Sequence, residues 1–421
     1  MHSIKMNYKF HSLIVTTVIS MAFSSLVLPP IEGFGGIALR IDDILLILAI
    51  AILPFYVSKI KINALGKTFI IFCIFAFFSI LWGYVNLAVP SSTRDINEYL
   101  RILKSCLFIL LSSTADLEEL KKSTYRLIFI TSWIIIIIAL IEYVNPIGIG
   151  EIITKAFTQS ERHTASAYDS SRRIVITGGD PNTGGAIILY ILLAEIAFLG
   201  HRIDFLSIIR ISFLVIFLLI SGSRTNFLIL TAVVVFIIFT EKNIKPGIKI
   251  LGMCFLSCIV FLMWSNISYI TLGLALFLSG ENTSWIERIR RQGEAIQYFL
   301  QSPIFGWGPA KAIHSTIVDG EYALLLSRYG IFGIFSVLVF ILMDKLKYFH
   351  ALTRNKYSES QPWLNLSIYL AIMAMMLMIT NNLFSSYQLF LFFALIQVIS
   401  IRTYKAERMK EKLKRIEKIR G

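Results

Sequence analysis

"YRLIFITSWIIIIIALIEYV", residues 125–144, decides the fold class. Its only charges are Arg126 and Glu142, near either end. About 20 residues of that composition are what an α-helix needs to cross the hydrocarbon of a bilayer. Working outward, comparable stretches occur at 12–28, 41–57, 68–89, 100–113, 184–200, 205–221, 224–240, 248–264, 321–343, 363–380 and 384–401. The one at 100–113 is short and holds Lys104, so it is the weakest. The expectation is an all-α polytopic integral membrane protein of about 12 transmembrane helices.

The whole composition agrees. Of 421 residues, 56% are hydrophobic and 16% charged, with a mean hydropathy of +0.73. A soluble domain carries about a quarter charged residues, so most of this chain is solvated by lipid. Nothing large enough for a separate soluble domain remains, and residues 1–421 read as one membrane domain. The first apolar run resembles a secretory signal, yet "SSLVLPPIEGFGG" (24–36) offers no small-x-small cleavage site and is expected to stay as a helix. The four cysteines, Cys73, Cys106, Cys254 and Cys258, all fall in expected spans and read as small packing residues.

Charge gives orientation. An even number of spans puts both ends of the chain on one side. That side collects 26 of the 40 Lys and Arg residues, so it is expected to be cytoplasmic. The tail at 402–421 spaces Met409, Leu413, Ile416 and Ile419 helically among lysines, the pattern of an amphipathic helix on an anionic leaflet. The net charge of +14 then reflects membrane orientation, and no nucleic-acid partner is expected.

The opposite side differs in kind, because 11 of its 14 basic residues are arginine. A planar guanidinium binds phosphate or carboxylate with two parallel hydrogen bonds. An anionic ligand handled on the external face is the inference. Two external loops are long, 145–183 and 265–320, and an apolar segment at 268–280 suits a re-entrant or interfacial piece.

Several motifs sit at that face. "SGSRTN" (221–226) turns tightly at Gly222 and puts Arg224 at a helix end, either snorkelling to water or gripping a phosphate. "RRIVITGGDPNTGG" (172–185) carries Arg173, and its Asp180-Pro181 is a helix start with a carboxylate cap and proline at the first helical position. Gly178 and Gly179 there could alternatively admit a sugar or phosphate close to the backbone. "ERIRRQGEAIQYFLQSPIFGWGP" (287–309) clusters Arg288, Arg290 and Arg291 on an amphipathic segment, facing water or lipid phosphate. In "RIDD" (40–43) the paired acids either cap the second span or hold a divalent metal; capping is the simpler reading. "VDGEYALLLSRYGIFG" (318–333) places Asp319 as an expected N-cap and Glu321 in the first turn. Arg328, two turns deeper, needs a partner or a water-filled cavity. His314, upstream, reads as a solvated loop residue. P-loop, HExxH, GxSxG and clustered Cys/His patterns are absent from the sequence, and neither metal nor cofactor is expected.

The ordered set SGSR, long loop with a distal arginine, "SPIFGWGP" and acidic "YALLLSRYGIFG", with "GDPN" before the sixth span, resembles the O-antigen polymerase and ligase superfamily. By motif the resemblance covers about 170–345. It implies a GT-C-like architecture and a metal-independent, inverting glycosyltransferase acting on polyprenyl-diphosphate-linked glycans at the external face of a bacterial inner membrane. Ligases of the superfamily bear a histidine eleven residues before the first glycine of a GxxG pair. Here that position, counted from Gly330, is Asp319. The departure favours the polymerase branch.

On the resemblance, Arg224, Arg288, Arg291 and Arg328 are the diphosphate ligands. Asp319 is the base or acceptor-orienting group, with Glu321 second. Arg173, Asp180, Asn182, Tyr322 and His314 are further candidates. Expected partners are lipid-linked repeat units, membrane lipid, and a flippase and chain-length regulator of the same pathway. The competing readings are a ligase delivering glycan to lipid A core and a 12-helix flippase.

Overall fold

The computed structural model describes residues 2–32, 38–52, 60, 62–158, 168, 173–199, 205–240, 279, 283–313, 319–353, 360–384 and 387–420. In chain order the helices are α1 (His2–Val27), α2 (Ile41–Ile52), α3 (Ala64–Asn86), α4 (Thr93–Thr114), α5 (Leu117–Val144), α6 (Ile149–Phe157) and α7 (Pro181–Leu199). They continue with α8 (Phe205–Ile220), α9 (Arg224–Thr240), α10 (Thr283–Gln301), α11 (Glu321–Leu342), α12 (Lys345–Thr353), α13 (Gln361–Thr380) and α14 (Tyr387–Arg420). A two-residue antiparallel pair, Ile31 with Leu39 and Glu32 with Ala38, closes the connection from α1 to α2.

Among the described residues six stretches are long and apolar enough to cross a membrane: α3, α5, α7, α11 running into α12, α13 and α14. The C-terminal part of α1, α8 and α9 are shorter apolar helices. The architecture is that of a multi-pass helical membrane protein. Of the twelve expected spans, 248–264 lies outside the described residues, as do 53–57 of the second and all of the segment 268–280 except Ser279. The helix at the fourth expected span is longer than hydropathy suggested, beginning at Thr93 where Ser92 Oγ accepts the Arg94 N–H. Its buried Asp95, Glu98 and Lys104 hide it from a hydropathy reading.

Helix limits follow local chemistry. Asp116 Oδ1 accepts the Glu119 N–H at 2.9 Å, capping α5. Asn145, left-handed at φ 49°, ends it. Helices α7, α13 and the first half of α14 are buried on nearly every side and form the centre. Helix α3 instead turns Ile71, Ile74, Phe78 and Leu81 outward, as a lipid-facing helix does. Because lipid is as apolar as the core, the helices cohere by dispersion rather than by hydrophobic burial. Close aromatic packing therefore matters: Phe69 on α3, Phe340 on α11 and Phe390 on α14 meet at 5.3–5.7 Å between ring centres. Pairs of this kind contribute about 0.5–1.5 kcal/mol each beyond area.

Among the described residues, three of the buried charge groups cross-link the bundle as follows. Arg210 on α8 forks onto Glu195 of α7 at 2.8 and 3.0 Å, Ser132 on α5 donates to the same carboxylate at 2.6 Å, and Phe129 stacks on the guanidinium. Lys345 donates to Ser367 at 2.6 Å and to Gln397. The "RIDD" acids form the third. Asp42 and Asp43 receive Lys104 at 2.6 and 2.5 Å, and Arg40 reaches Asp42 at 3.2 Å. The capping expectation holds for Asp43, whose other oxygen accepts the Arg40 backbone N–H at 3.0 Å at the start of α2, and the pair also neutralises the lysine that made the fourth expected span doubtful.

The tail also differs from expectation. No break follows Arg402, and α14 runs on through Arg420 as one 34-residue helix, about 51 Å at 1.5 Å per residue. Met409, Leu413 and Ile416 do share an exposed face of it, but the segment is a continuation of the last span, not a separate surface helix. Cys73 and Cys106 are buried thiols; Cys254 and Cys258 lie outside the described residues.

Candidate active site at one mouth of the bundle

The SGSR turn joins α8 to α9 in three residues. Gly222 adopts φ +63°, and a Cβ there would lie 2.9 Å from Arg173 Nε, so the turn and the arginine need glycine. Arg173 donates to the Ser221 carbonyl at 3.0 Å and to that of Gly222 at 3.4 Å, a cation set against the C-terminal carbonyls of α8. Arg224 follows as the first residue of α9, half-buried. The loop bearing Arg173 is itself pinned by a carboxylate that sequence reasoning missed. Glu142, buried at the end of α5, accepts the Val175 and Ile176 N–H groups at 2.8 and 2.7 Å and the Thr154 hydroxyl at 2.9 Å.

Asp180 caps α7, as its position before Pro181 predicts. One oxygen takes the Asn182 and Thr183 N–H groups at 2.8 and 3.0 Å, the other the Thr183 hydroxyl at 2.5 Å. The Asn182 carbonyl accepts from Asn226 of the SGSRTN turn at 2.8 Å, which ties these two motifs together.

From that turn the contacts run on to the start of α11. The Thr380 hydroxyl meets that of Thr225 at 3.3 Å. The neighbouring Ile379 carbonyl accepts from Gln292 of α10 at 3.2 Å, and Gln292 also donates to the Asp319 carbonyl at 2.7 Å. Arg288, one turn away on α10, reaches the Asp319 carboxylate at 3.3 Å. The N-cap expected of Asp319 is not made. Gly320 occupies the cap position at φ +123°, without a side-chain cap, and Asp319 is turned to Arg288. Glu321 is fully buried; one of its oxygens accepts the Phe384 N–H at 3.0 Å, fixing the connection between α13 and α14.

Three other candidates lie differently. Tyr322 points into the bundle and donates to the Met375 carbonyl at 2.9 Å. Arg291 and Arg290 share the exposed Glu287, holding its carboxyl down at about 2 chiefly through the hydrogen bonds from Arg290 and then Arg291. His314 lies outside the described residues.

Arg328 has the partner its depth requires. It donates to Glu98 of α4 at 2.8 Å, both side chains being about nine-tenths buried. The helix is broken just beyond, at Gly330 with φ +62°. Its freed carbonyls are not orphaned: Trp307 N–H donates to Ser327 O at 2.9 Å and Gly308 N–H to Arg328 O at 2.8 Å, while Ile331 N–H returns to Pro303 O at 2.9 Å. "SPIFGWGP" and "SRYGIFG" are thus two halves of one joint. A small cavity of about 20 Å³ opens between Glu98, Ser105, Glu321 and Tyr329, with Phe69, Phe72 and Phe384 among its apolar walls.

Among the described residues no group of three or more His, Cys, Asp or Glu side chains gathers. What the mouth offers is fixed cations beside carboxylates, which suits an anionic group next to a proton acceptor.

No curated protein matches the chain. Over residues 210–345, from α8 through the SGSR turn, α10 and the broken helix α11, the chain is similar to the family described as O-antigen ligase, which supports a glycosyltransferase-like role in surface polysaccharide assembly.

Proposed function

We propose that the protein is a polymerase of the O-antigen type, joining polyprenyl-diphosphate-linked oligosaccharide repeat units at the external face of a bacterial inner membrane, with both chain ends cytoplasmic and a GT-C-like bundle. The observation that supports this best is the Arg288–Asp319 pair, held by Gln292 within two contacts of the Arg224 turn. A hydroxyl of one lipid-linked unit attacks the anomeric carbon of another chain. The C–O bond to the diphosphate breaks with inversion, and polyprenyl diphosphate leaves. Arg224 and Arg288 neutralise the charge developing on the leaving group. As Arg288 swings to phosphate it uncovers Asp319, which takes the hydroxyl proton, a role worth roughly 10²–10⁴-fold. Glu321, buried against Phe384, holds the floor of the site and is the second candidate base.

The family match is described as a ligase, so transfer of finished glycan to lipid A core is the second reading. Asp319 stands where ligases of the superfamily carry histidine, and this favours the polymerase. Chain extension from purified lipid-linked units separates the readings. Longer lipid-linked chains mean polymerase; glycan moved only to lipid A core means ligase; movement between leaflets without new bonds means flippase. In cells, Arg224→Ala in a normally expressed protein should leave single repeat units in place of a ladder, and an intact ladder refutes the diphosphate role. Genes for a flippase and a chain-length regulator are expected alongside.

A further inference from the structure

Helix α5 carries a lipid-facing stripe that does not stop where the helix does. Ile130, Ile137, Leu140 and Val144 recur at helical spacing and are all exposed. Tyr143, exposed beside them, is a residue type that marks the bilayer interface. Three residues past Val144, Ile147 is 100% exposed and sits at φ 54° and ψ 26°. A β-branched side chain almost never takes that left-handed conformation. Held out bare in water it gains nothing; among acyl chains it is solvated. Helix α6 then adds Ile149 and Ile152, also exposed and close together around its axis. Its exposed ion pair, Lys155 with Glu151 at 2.7 Å, lies further round the helix.

This apolar face is clamped in place. Gly150 packs so closely on α5 that a Cβ would stand 2.7 Å from the Ile141 carbonyl oxygen. The Glu151 N–H donates to Asn145 Oδ1 at 3.2 Å, and the Thr154 hydroxyl to Glu142 at 2.9 Å. The same Glu142 carboxylate takes the Val175 and Ile176 N–H groups, so α6 and the Arg173 loop share one anchor.

We propose that the Pro146–Gly148 turn and α6 form an interfacial foot, seated in the bilayer leaflet at the mouth end, that holds the Arg173 loop at headgroup depth. The occupant of the face is lipid, because it continues a stripe that already faces lipid and turns its charges aside, as an interfacial helix does. The inference stands on this end of α5 alone and does not use the function proposed above.

The test is nitroxide accessibility in the full chain, reconstituted in vesicles of phosphatidylethanolamine and phosphatidylglycerol. Labels are placed at Ile147→Cys, Ile152→Cys and Lys155→Cys, with labelled wild type as the blank for native cysteines. Relative to the label at 155, those at 147 and 152 should favour dissolved oxygen over a water-soluble nickel chelate by about threefold or more, as for a face seated among acyl chains. Equal access of the chelate to all three positions overturns the foot. Shielding of 147 and 152 from both quenchers also overturns it, since that means a covering protein. If Ile147→Cys does not fold, Ile152→Cys decides. The hold on the loop is read by tryptic cleavage after Arg173 in vesicles, which Ile147→Asp with Ile152→Asp should speed by about threefold or more as the foot leaves the leaflet. An unchanged rate overturns that hold. Melting in detergent checks that this pair is folded, and if it melts early Ile152→Ser takes its place.

Discussion

Asp319→Asn should separate stability from activity. The carboxylate meets Arg288 through one 3.3 Å contact, with the two side chains 43% and 24% exposed. Ion pairs in that setting contribute about 0–1 kcal/mol. The side chain caps no helix, so the loss of about 1 kcal/mol that usually follows removal of an N-cap does not apply. The backbone carbonyl that holds Gln292 survives the substitution. The unfolding midpoint in detergent should therefore fall by no more than about 2–4 °C. If Asp319 takes the acceptor proton, chain extension should fall by roughly 10²–10⁴-fold, or about 2.7–5.5 kcal/mol of barrier at 1.36 kcal/mol per decade. The assay is single-turnover extension of purified lipid-linked repeat units, with thermal unfolding of the same preparation. Activity within threefold of wild type removes Asp319 from the chemistry. A midpoint drop large enough to account for the lost activity shows that its role is structural.

Glu98→Gln should behave oppositely, destabilising by about 3–5 kcal/mol because it removes the carboxylate charge that faces the buried Arg328 guanidinium; paired replacement of Glu98 and Arg328 by Leu and Met should recover part of that in detergent melts. Gly330→Ala should fail to accumulate as folded protein, since its Cβ would lie 2.2 Å from the Ile304 carbonyl oxygen at φ +62°; normal monodispersity on gel filtration contradicts the joint. Glu142→Gln replaces an oxygen that takes a backbone N–H with an amide that cannot, so the Arg173 loop loosens and KM for the lipid-linked donor should rise more than kcat falls, as steady-state kinetics would show. Asp180→Ala should cost about 1 kcal/mol of stability, with little change in kcat.

Local signals were the legible ones. Asp180-Pro181 announces the start of α7, and Gly222 announces the turn that Arg173 locks, because caps and tight turns are written in neighbouring residues. Arg328 announced the need for a partner without saying which. Glu98 lies 230 positions away on a helix whose own charges made it look like a poor span, and only the packing of α4 against α11 joins them. The same holds for Lys104 with Asp42 and Asp43: the lysine looked anomalous in its span, and the acids read as helix caps turn out also to neutralise it. Asp319 misled for a different reason. A carboxylate just before a helix is a sound capping pattern, but the Gly320 conformation turned it toward α10, and Arg288 competed successfully for it. The tail misled because its polar–apolar pattern describes a face and not a bend, and nothing after Arg402 interrupts the helix.

The joint between residues 303–308 and 327–331 has a consequence for recombination. Its three backbone bonds carry no side-chain identity, so sequence can drift on both halves except at the glycines Gly306 and Gly330, while their lengths cannot. A crossover placed between Pro309 and Gly320 would pair one parent's strip with the other's broken helix, and the hybrid inherits a misfit unless both parents keep the same spacing. Exchange of the whole 302–333 block leaves the joint intact. Substrate preferences are therefore best transplanted between such proteins in units that respect that seam.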